Sequence, residues 1–553
     1  ALDALPLLPN GKIDRRALPA PKRSEAETQG TEPHTATQAT LAKIWRDLLG
    51  AAALGIHDDF FELGGHSLLA TRLMMRVRRE LGGEAPLRWI FEAPTIAALA
   101  ERIDAAASHG PSSGEAPIPR RDLDSEVPAT PAQQALWFID QLQGSSAQYV
   151  IAMGLRLSGS LQPASLQAAL CALLERHEVL RSGLCAHEGG VRQQLLGAQE
   201  AAAALALEPE VLSADQSLAQ WLHAAGTEPF DLSHAPLLRA RLLRLAPSEH
   251  VLLLCVHHAV SDGWSMDVLA RELGALYEAH ALQRPVNLPA LPIQFADYAC
   301  WLQQRLDGEP AQRDLAYWRQ ALAELQPLQL PTDRPRPLRP TQRGAQHGFE
   351  LEPELAAQLQ ALARRENVTL FMLLLAAWQV LLMRYSGQHD LAVGSPVAGR
   401  QRAELEPLIG YFVNTLVLRA DGSANPAFTA LLQQVRQTCL QAYAHQELPF
   451  ERVVAELAPQ REPGRNPLYQ VCFALQNMPA SALHLGSALQ VQRVGLHADS
   501  AKFDLSLSIT PNRSMKMLRG SGVAKASTKS TRPLSAVSTS FMRRGRTSST
   551  RRR

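Results

Sequence analysis

Apolar residues recur at helical spacing near the start of the chain. Leu41, Ile44, Trp45 and Leu48 fall on one face and predict a helix from about Thr37. A second stripe, Leu69, Leu73, Val77 and Leu81, follows the break at Gly64-Gly65 and ends at Gly82-Gly83. Ser67 stands where that helix starts, a favoured capping position. Thr95 can cap a further short helix carrying Ile96, Leu99 and Ile103. Residues 36–106 therefore predict a small all-α bundle of four helices. From Val127 to Pro511 the pattern changes to strand-like and helix-like segments in alternation. Val251 to Val256 is an apolar run of strand length, and Leu269, Leu273 and Leu276 then mark a helix. The turn between them holds two adjacent histidines. Leu370 to Met383, interrupted by Gln379, is shorter than the roughly 20 residues needed to span a bilayer and predicts a core helix, so no membrane partner is expected. Residues 23–35 and 107–126 are polar or Ser/Gly/Pro-rich and predict linkers.

Length changes the picture only by scale: 553 residues predict two to four domains. Charge changes it more. The net charge is +2, yet residues 512–553 hold twelve Lys or Arg and no acid. Setting those aside leaves 43 basic against 53 acidic residues, so a nucleic-acid-binding reading of the whole chain is excluded. That basic Ser/Thr/Arg-rich tail shows no periodic apolar face and predicts disorder, with a sequence resembling translation out of frame. Cys171, Cys185, Cys255, Cys300, Cys439 and Cys472 are widely spaced without a CxxC pair, which suits reduced thiols in cytoplasm. No signal peptide opens the sequence, and no Cys/His cluster predicts a metal site.

The chemistry centres on His257-His258-Ala259-Val260-Ser261-Asp262-Gly263-Trp264-Ser265. An imidazole can exchange a proton near neutrality. Successive strand residues point to opposite faces, so one histidine can face a site while the other packs beneath it. From the residues alone, two satisfied structural histidines are the commoner reading of such a turn. HHAVSDG, however, resembles the HHxxxDG signature of the condensation domains of nonribosomal peptide synthetases, relatives of the chloramphenicol acetyltransferase fold. Six further stretches resemble the family's other motifs in order: VPATPAQQALWFIDQL, LLERHEVLRSGL, FADYACWLQQ, IGYFVNTLVLR, HQELPFERVV and RNPLYQVCFAL.

Two upstream strings resemble neighbouring parts of such assembly lines. DDFFELGGHSLLA, with Asp58 and Asp59, resembles the carrier-protein motif, which implies covalent 4′-phosphopantetheine on Ser67. The physics agrees, because a phosphodiester at a helix N-terminus meets unpaired N–H groups. LPNGKIDRRALP resembles the final adenylation motif, with Lys12 as its lysine near the Asn10-Gly11 turn. Only that closing fragment, residues 1–22, is matched, so no adenylation activity is expected.

The resemblance implies a multidomain chain: an adenylation remnant, a four-helix carrier, and an α/β (α+β) condensation domain over 127–511, with acetyltransferase-like lobes of about 127–290 and 291–511. It implies peptide-bond formation, an acyltransferase-type reaction of secondary-metabolite and antibiotic synthesis. The donor would be an aminoacyl or peptidyl thioester on Ser67, and the acceptor an amine on a downstream carrier. Partners would be a phosphopantetheinyl transferase and adjoining adenylation and carrier modules. By resemblance His258 is the catalytic histidine, by base catalysis or by positioning the amine, and His257 packs inward. Asp262 is expected to pair with Arg181, and Gly263 to let backbone approach the reacting carbonyl. Trp264 and Asn414 are candidate tunnel-lining residues. Ser182 and Leu184 replace the family's usual threonine and phenylalanine. The family continues in ordered structure after Pro511, so the condensation domain is expected to lack its end. A remnant in which only the carrier is competent, and an O-acyltransferase with a related site, are the rival readings. A heterocyclising variant is disfavoured because its DxxxxD signature is absent. GGHSLL, rather than GGDS, implies an L-configured donor with no epimerising step.

Overall fold

The computed structural model describes residues 32–51, 54–65, 67–82, 85–107, 116–213, 215–332, 336, 344–457, 465–476, 483–486, 488–496, 501–511 and 535–541. They form two compact units that divide at Gly114–Glu115. Lys12 and the adenylation-like stretch lie outside the described residues.

The first unit holds the helices Ala36–Leu49, Ser67–Leu81, Arg88–Glu92 and Ile96–Ala107. The predicted stripes are its core: Leu41, Ile44, Trp45, Leu73, Val77, Ile96 and Leu99 are buried, with Phe60 in an edge contact to Trp45. Thr35 caps the first helix through the Gln38 N–H, and Gly50 closes it in the left-handed region. Thr95 accepts the Ala98 N–H at the start of the last helix.

The second unit contains a five-stranded sheet ordered Leu489–Val494, Val150–Gly159, Glu249–His257, Leu238–Ala246 and Pro209–Val211. Only the last pair is parallel. A six-stranded sheet runs Asn414–Asp421, Asp390–Val397, Val471–Leu475, Leu505–Pro511, Ser535–Phe541 and Ala345–Glu350. The expected lobes exchange chain in two places. Strand Leu489–Val494, late in sequence, pairs with Val150–Gly159 in the first sheet. The segment after Asp390–Val397 buries Leu405, Leu408, Ile409 and Phe412 in the first lobe's core before returning at Asn414. Ile118, in the expected linker, joins that same core.

The tail reading needs correcting at Ser535–Phe541. This segment is a strand inserted between Leu505–Pro511 and Ala345–Glu350, antiparallel to both. Its Ser, Thr, Val and Phe residues suit an extended chain, and two open strand edges supply the backbone partners that helical or apolar periodicity could not reveal. Helix Leu370–Ser386 is the expected core helix, with Gln379 buried and donating to the Leu418 carbonyl. Among the described residues no single helix is long and apolar enough to cross a membrane. All six cysteines are free.

Candidate functional site

Strand Glu249–His257 ends in the first histidine, a short turn starts at the second and runs over His258–Val260, and helix Gly263–Ala281 begins directly after Asp262. The passage from strand to turn separates the imidazoles. His257 is buried, and its Nδ1 accepts the Ala259 N–H at 3.1 Å. His258 is half-buried, with its ring edge against Tyr411 at 4.8 Å between centroids. Its Nδ1 is shielded from solvent and has no hydrogen-bond partner. The turn is clamped from the first motif. Gln133 caps Thr130 and also donates to the Ala259 carbonyl at 3.0 Å.

Burial, with the Lys502 charge second, lowers His258 to about 3 and His257 to about 4. Both imidazoles are therefore neutral at working pH. A conjugate acid that strong makes His258 a weak general base, but a neutral imidazole accepts an N–H hydrogen bond well. The linkage has a definite sign. In the unfolded chain these histidines titrate near their ordinary value of 6.5, so below it the unfolded state binds more protons and stability falls with falling pH. Calorimetry from pH 7 to pH 5 should show the second unit melting progressively lower, with a shallower slope in a His257→Gln/His258→Gln variant. An unchanged melting temperature across that range would contradict it.

Asp262 is fully buried and serves several partners at once. It accepts the Ser265 N–H and hydroxyl at 2.8 Å each, capping the helix, and the Phe412 N–H at 3.0 Å. Its cation is Arg400, at 3.4 Å, with both side chains inaccessible. The expected pair with Arg181 is therefore corrected. Arg181 instead donates to the carbonyls of Leu174 and Leu196. Arg400 also donates to Ser265 Oγ at 2.8 Å and to the Leu405 and Leu408 carbonyls, and stacks on Phe412 at 4.0 Å. Asp262 and Arg400 thus tie the second lobe's inserted segment to the helix that follows the histidines. The second motif feeds a different cluster, in which Glu272 accepts from Arg176 at 3.0 Å and bonds His177 at 2.7 Å.

The inserted segment also walls a solvent-open cavity of about 660 Å³ of empty space. Its lining comes from both halves, including Thr130, Trp301, Tyr411, Asn414 and Glu451. Tyr411 belongs to the cavity wall and to the His258 contact alike. Asn414 lines the cavity, but its amide is spent on structure. It donates to the Gln446 and Leu448 carbonyls at 2.8 Å each and accepts the Thr415 and Phe450 N–H groups. Trp264 does not line it; its indole donates to the Glu406 carbonyl at 3.0 Å and faces Arg400. A Cβ added at Gly263 would meet open space.

In the first unit, Ser67 is the first residue of its helix. The approach is shaped by glycine: Gly64 has φ +101°, and a Cβ on Gly65 would lie 2.2 Å from the Phe60 ring. Asp58 accepts the Gly55 N–H and Asp59 the Phe61 N–H, so both hold the loop. A serine opening a helix behind a compact glycine loop fits a phosphodiester, since the N–H groups of the first turn have no partners within a helix. No group of metal-ligating side chains occurs among the described residues.

The sequence reading did not single out Arg400, Tyr411, Gln133 or Lys502. Tyr411 and Gln133 lay inside matched motifs. Nothing in spacing distinguished Arg400 from Arg402, because the signal is the fold that buries one of them.

Comparison with known proteins gives two family matches. Residues 124–518 match the condensation domain model, and residues 39–103 match the phosphopantetheine attachment site model. A linear gramicidin synthase of Brevibacillus parabrevis is 44% identical over 516 residues, covering 92% of this chain and 10% of that protein. The dimodular nonribosomal peptide synthase of Bacillus subtilis (strain 168) is 43% identical over 521 residues, 93% of this chain and 21% of that protein. The chain thus spans about a fifth or less of these relatives. The crystal structure of the X-domain from teicoplanin biosynthesis is 28% identical with a TM-score of 0.68, covering 77% of this chain and 92% of that one. A mutant of the starter condensation domain of rhizomide synthetase shares the fold at 22% identity, with a TM-score of 0.59 over 76% and 90% of the chains.

Proposed function

Since the chain belongs to the condensation-domain family of nonribosomal peptide synthetases and carries their phosphopantetheine attachment domain, we propose that it forms a peptide bond between a donor acyl group carried on Ser67 and an amine delivered by a downstream carrier. When attached, the 4′-phosphopantetheine arm supplies the thiol that holds the donor as a thioester. A phosphopantetheinyl transferase would load Ser67, and an adjoining adenylation module would charge it.

One observation carries the reading: a neutral His258, its Nδ1 without a partner, against a tyrosine that also walls a cavity built from both halves. A free amine attacking a thioester needs little base assistance. What it needs is a fixed lone-pair direction, and a neutral imidazole supplies that by accepting one amine N–H. Asp262 and Arg400 hold the turn and the opposite wall in register.

The loading half of this reading is tested directly. Intact-protein mass spectrometry after incubation with coenzyme A and a phosphopantetheinyl transferase should show one added arm in the parent and none in Ser67→Ala. An arm still gained by Ser67→Ala would place the attachment elsewhere.

A further inference from the structure

One proton of the reaction has no acceptor at His258. An α-amino group arrives in good part as an ammonium at neutral pH, and an ammonium has no lone pair with which to attack. An imidazole that titrates at about 3 cannot take its proton. The cavity walled by Tyr411 offers a different base. Two acids line it, Glu447 and Glu451. Glu447 is held by Arg305, which also lies 5.3 Å over the Trp301 ring. The other cavity-lining arginine, Arg402, is 3.6 Å from Glu404 and donates to the Ala116 carbonyl. Glu451 is half-buried, and among the described residues no cation forms an ion pair with it.

The place of Glu451 is built by its neighbours. It sits in the first turn of helix Phe450–Leu457. Asn414 accepts the Phe450 N–H, and its amide holds the Gln446 and Leu448 carbonyls, which fixes the turn into that helix. A helix start favours a carboxylate, but one pointing to bulk water would serve the dipole as well. This one shares a cavity wall with Tyr411, whose ring meets His258 at 4.8 Å between centroids. Cavity, tyrosine and imidazole therefore follow one another.

Resting on the reading of His258 given above, we propose that the Glu451 carboxylate receives the acceptor's ammonium in this cavity and takes its proton, so that a neutral amine passes Tyr411 to His258. The N–H pair stays on nitrogen as the lone pair, and the proton moves to a Glu451 oxygen. The lone pair forms the C–N bond while the carbonyl π pair moves onto oxygen. That pair then returns, the C–S bond breaks, and the adduct's extra N–H proton passes to the departing thiolate. Glu451 returns its own proton to water through the open side of the cavity. Burial holds the Glu451 carboxyl above its ordinary value, which brings it closer to the amine it must deprotonate. Burial also pushes the Tyr411 phenol far up, so Tyr411 adds no competing charge along the way.

The test uses the full chain, loaded on Ser67, and two acceptors of like shape: an aminoacyl pantetheine thioester and its aminooxyacyl counterpart. The aminooxy nitrogen is weakly basic and already neutral at pH 7, so it brings no proton to remove. Glu451→Gln keeps the shape of the side chain and removes the base. It should lower the aminoacyl rate relative to the aminooxyacyl rate on the order of 10²-fold, the scale of losing one positioned base. Glu451→Asp should recover part of that ratio. His258→Ala should slow both acceptors alike, because it acts after the proton has gone. Glu451→Gln should melt with the parent or above it, which separates loss of a base from loss of structure. A rate ratio unchanged from the parent, whether both rates fall or neither does, overturns the inference and leaves the His258 reading intact. No product from the parent with either acceptor overturns the His258 reading, and this inference with it.

Discussion

Asp262→Ala should destabilise the condensation unit by about 3–5 kcal/mol, because it strands Arg400 as a buried charge. The loss is larger than the pair's own attraction would suggest. Removing the carboxylate also uncaps helix Gly263–Ala281 and frees the Phe412 N–H, each an unmet donor in a dry interior. Arg400→Ala should fall in the same range, and the double variant should recover part of the sum, since each single change leaves an orphan that the other removes. Arg181→Ala is the control. Its guanidinium is half-buried and bonded only to carbonyls, so it should cost less and show no coupling to Asp262. Thermal or denaturant melts of the four proteins decide this. An Asp262→Ala protein that melts with the parent but has lost activity would assign the carboxylate to chemistry instead.

His258→Ala should leave the melt nearly unchanged and lower the rate of amide formation on the order of 10²-fold, the scale of losing orientation at one reacting atom. The imidazole Nδ1 has no hydrogen-bond partner, so removing it strands no polar group on that side. On the proposed reading, what is lost is the acceptor that aims the amine. Because the folded imidazole titrates at about 3, the parent rate should show no acid limb near 6.5 arising from this residue. Such a limb, abolished by His258→Ala, would restore a base-catalysed reading. His257→Ala should differ in kind: it empties a buried site beside Phe230 and Tyr149 and releases the Ala259 N–H, so it should act first on stability.

How far the sequence carried these conclusions depended on the range of each interaction. The carrier helices and the strand–turn–helix around His258 were legible because apolar period and glycine punctuation are local signals. Strand alternation was the expected cause of the separation of the two imidazoles, but His258 already belongs to the turn; His257, the last strand residue, is buried. The partner of Asp262 was not legible. It lies 138 residues away, and only the folding of the second lobe's segment into the first lobe's core chooses Arg400 over other arginines. Strand Leu489–Val494 was hidden for the same reason, since its exchange into the first sheet is a property of topology. Ser535–Phe541 was hidden because it carries little apolar contrast and is held by strand edges. Asn414 shows the converse: a motif residue in the expected place whose amide is wholly used in shaping the turn that carries Glu451.

The most direct measurement loads Ser67 of the full chain with an aminoacyl-pantetheine, adds a soluble aminoacyl thioester as acceptor, and follows dipeptide by mass spectrometry. The account predicts dipeptide from the parent, a loss on the order of 10²-fold in His258→Ala with loading intact, and a poorer yield from an alcohol acceptor. Full loading of the parent without dipeptide would leave only a carrier, and an alcohol that outperforms the amine would assign the His258 site to ester formation.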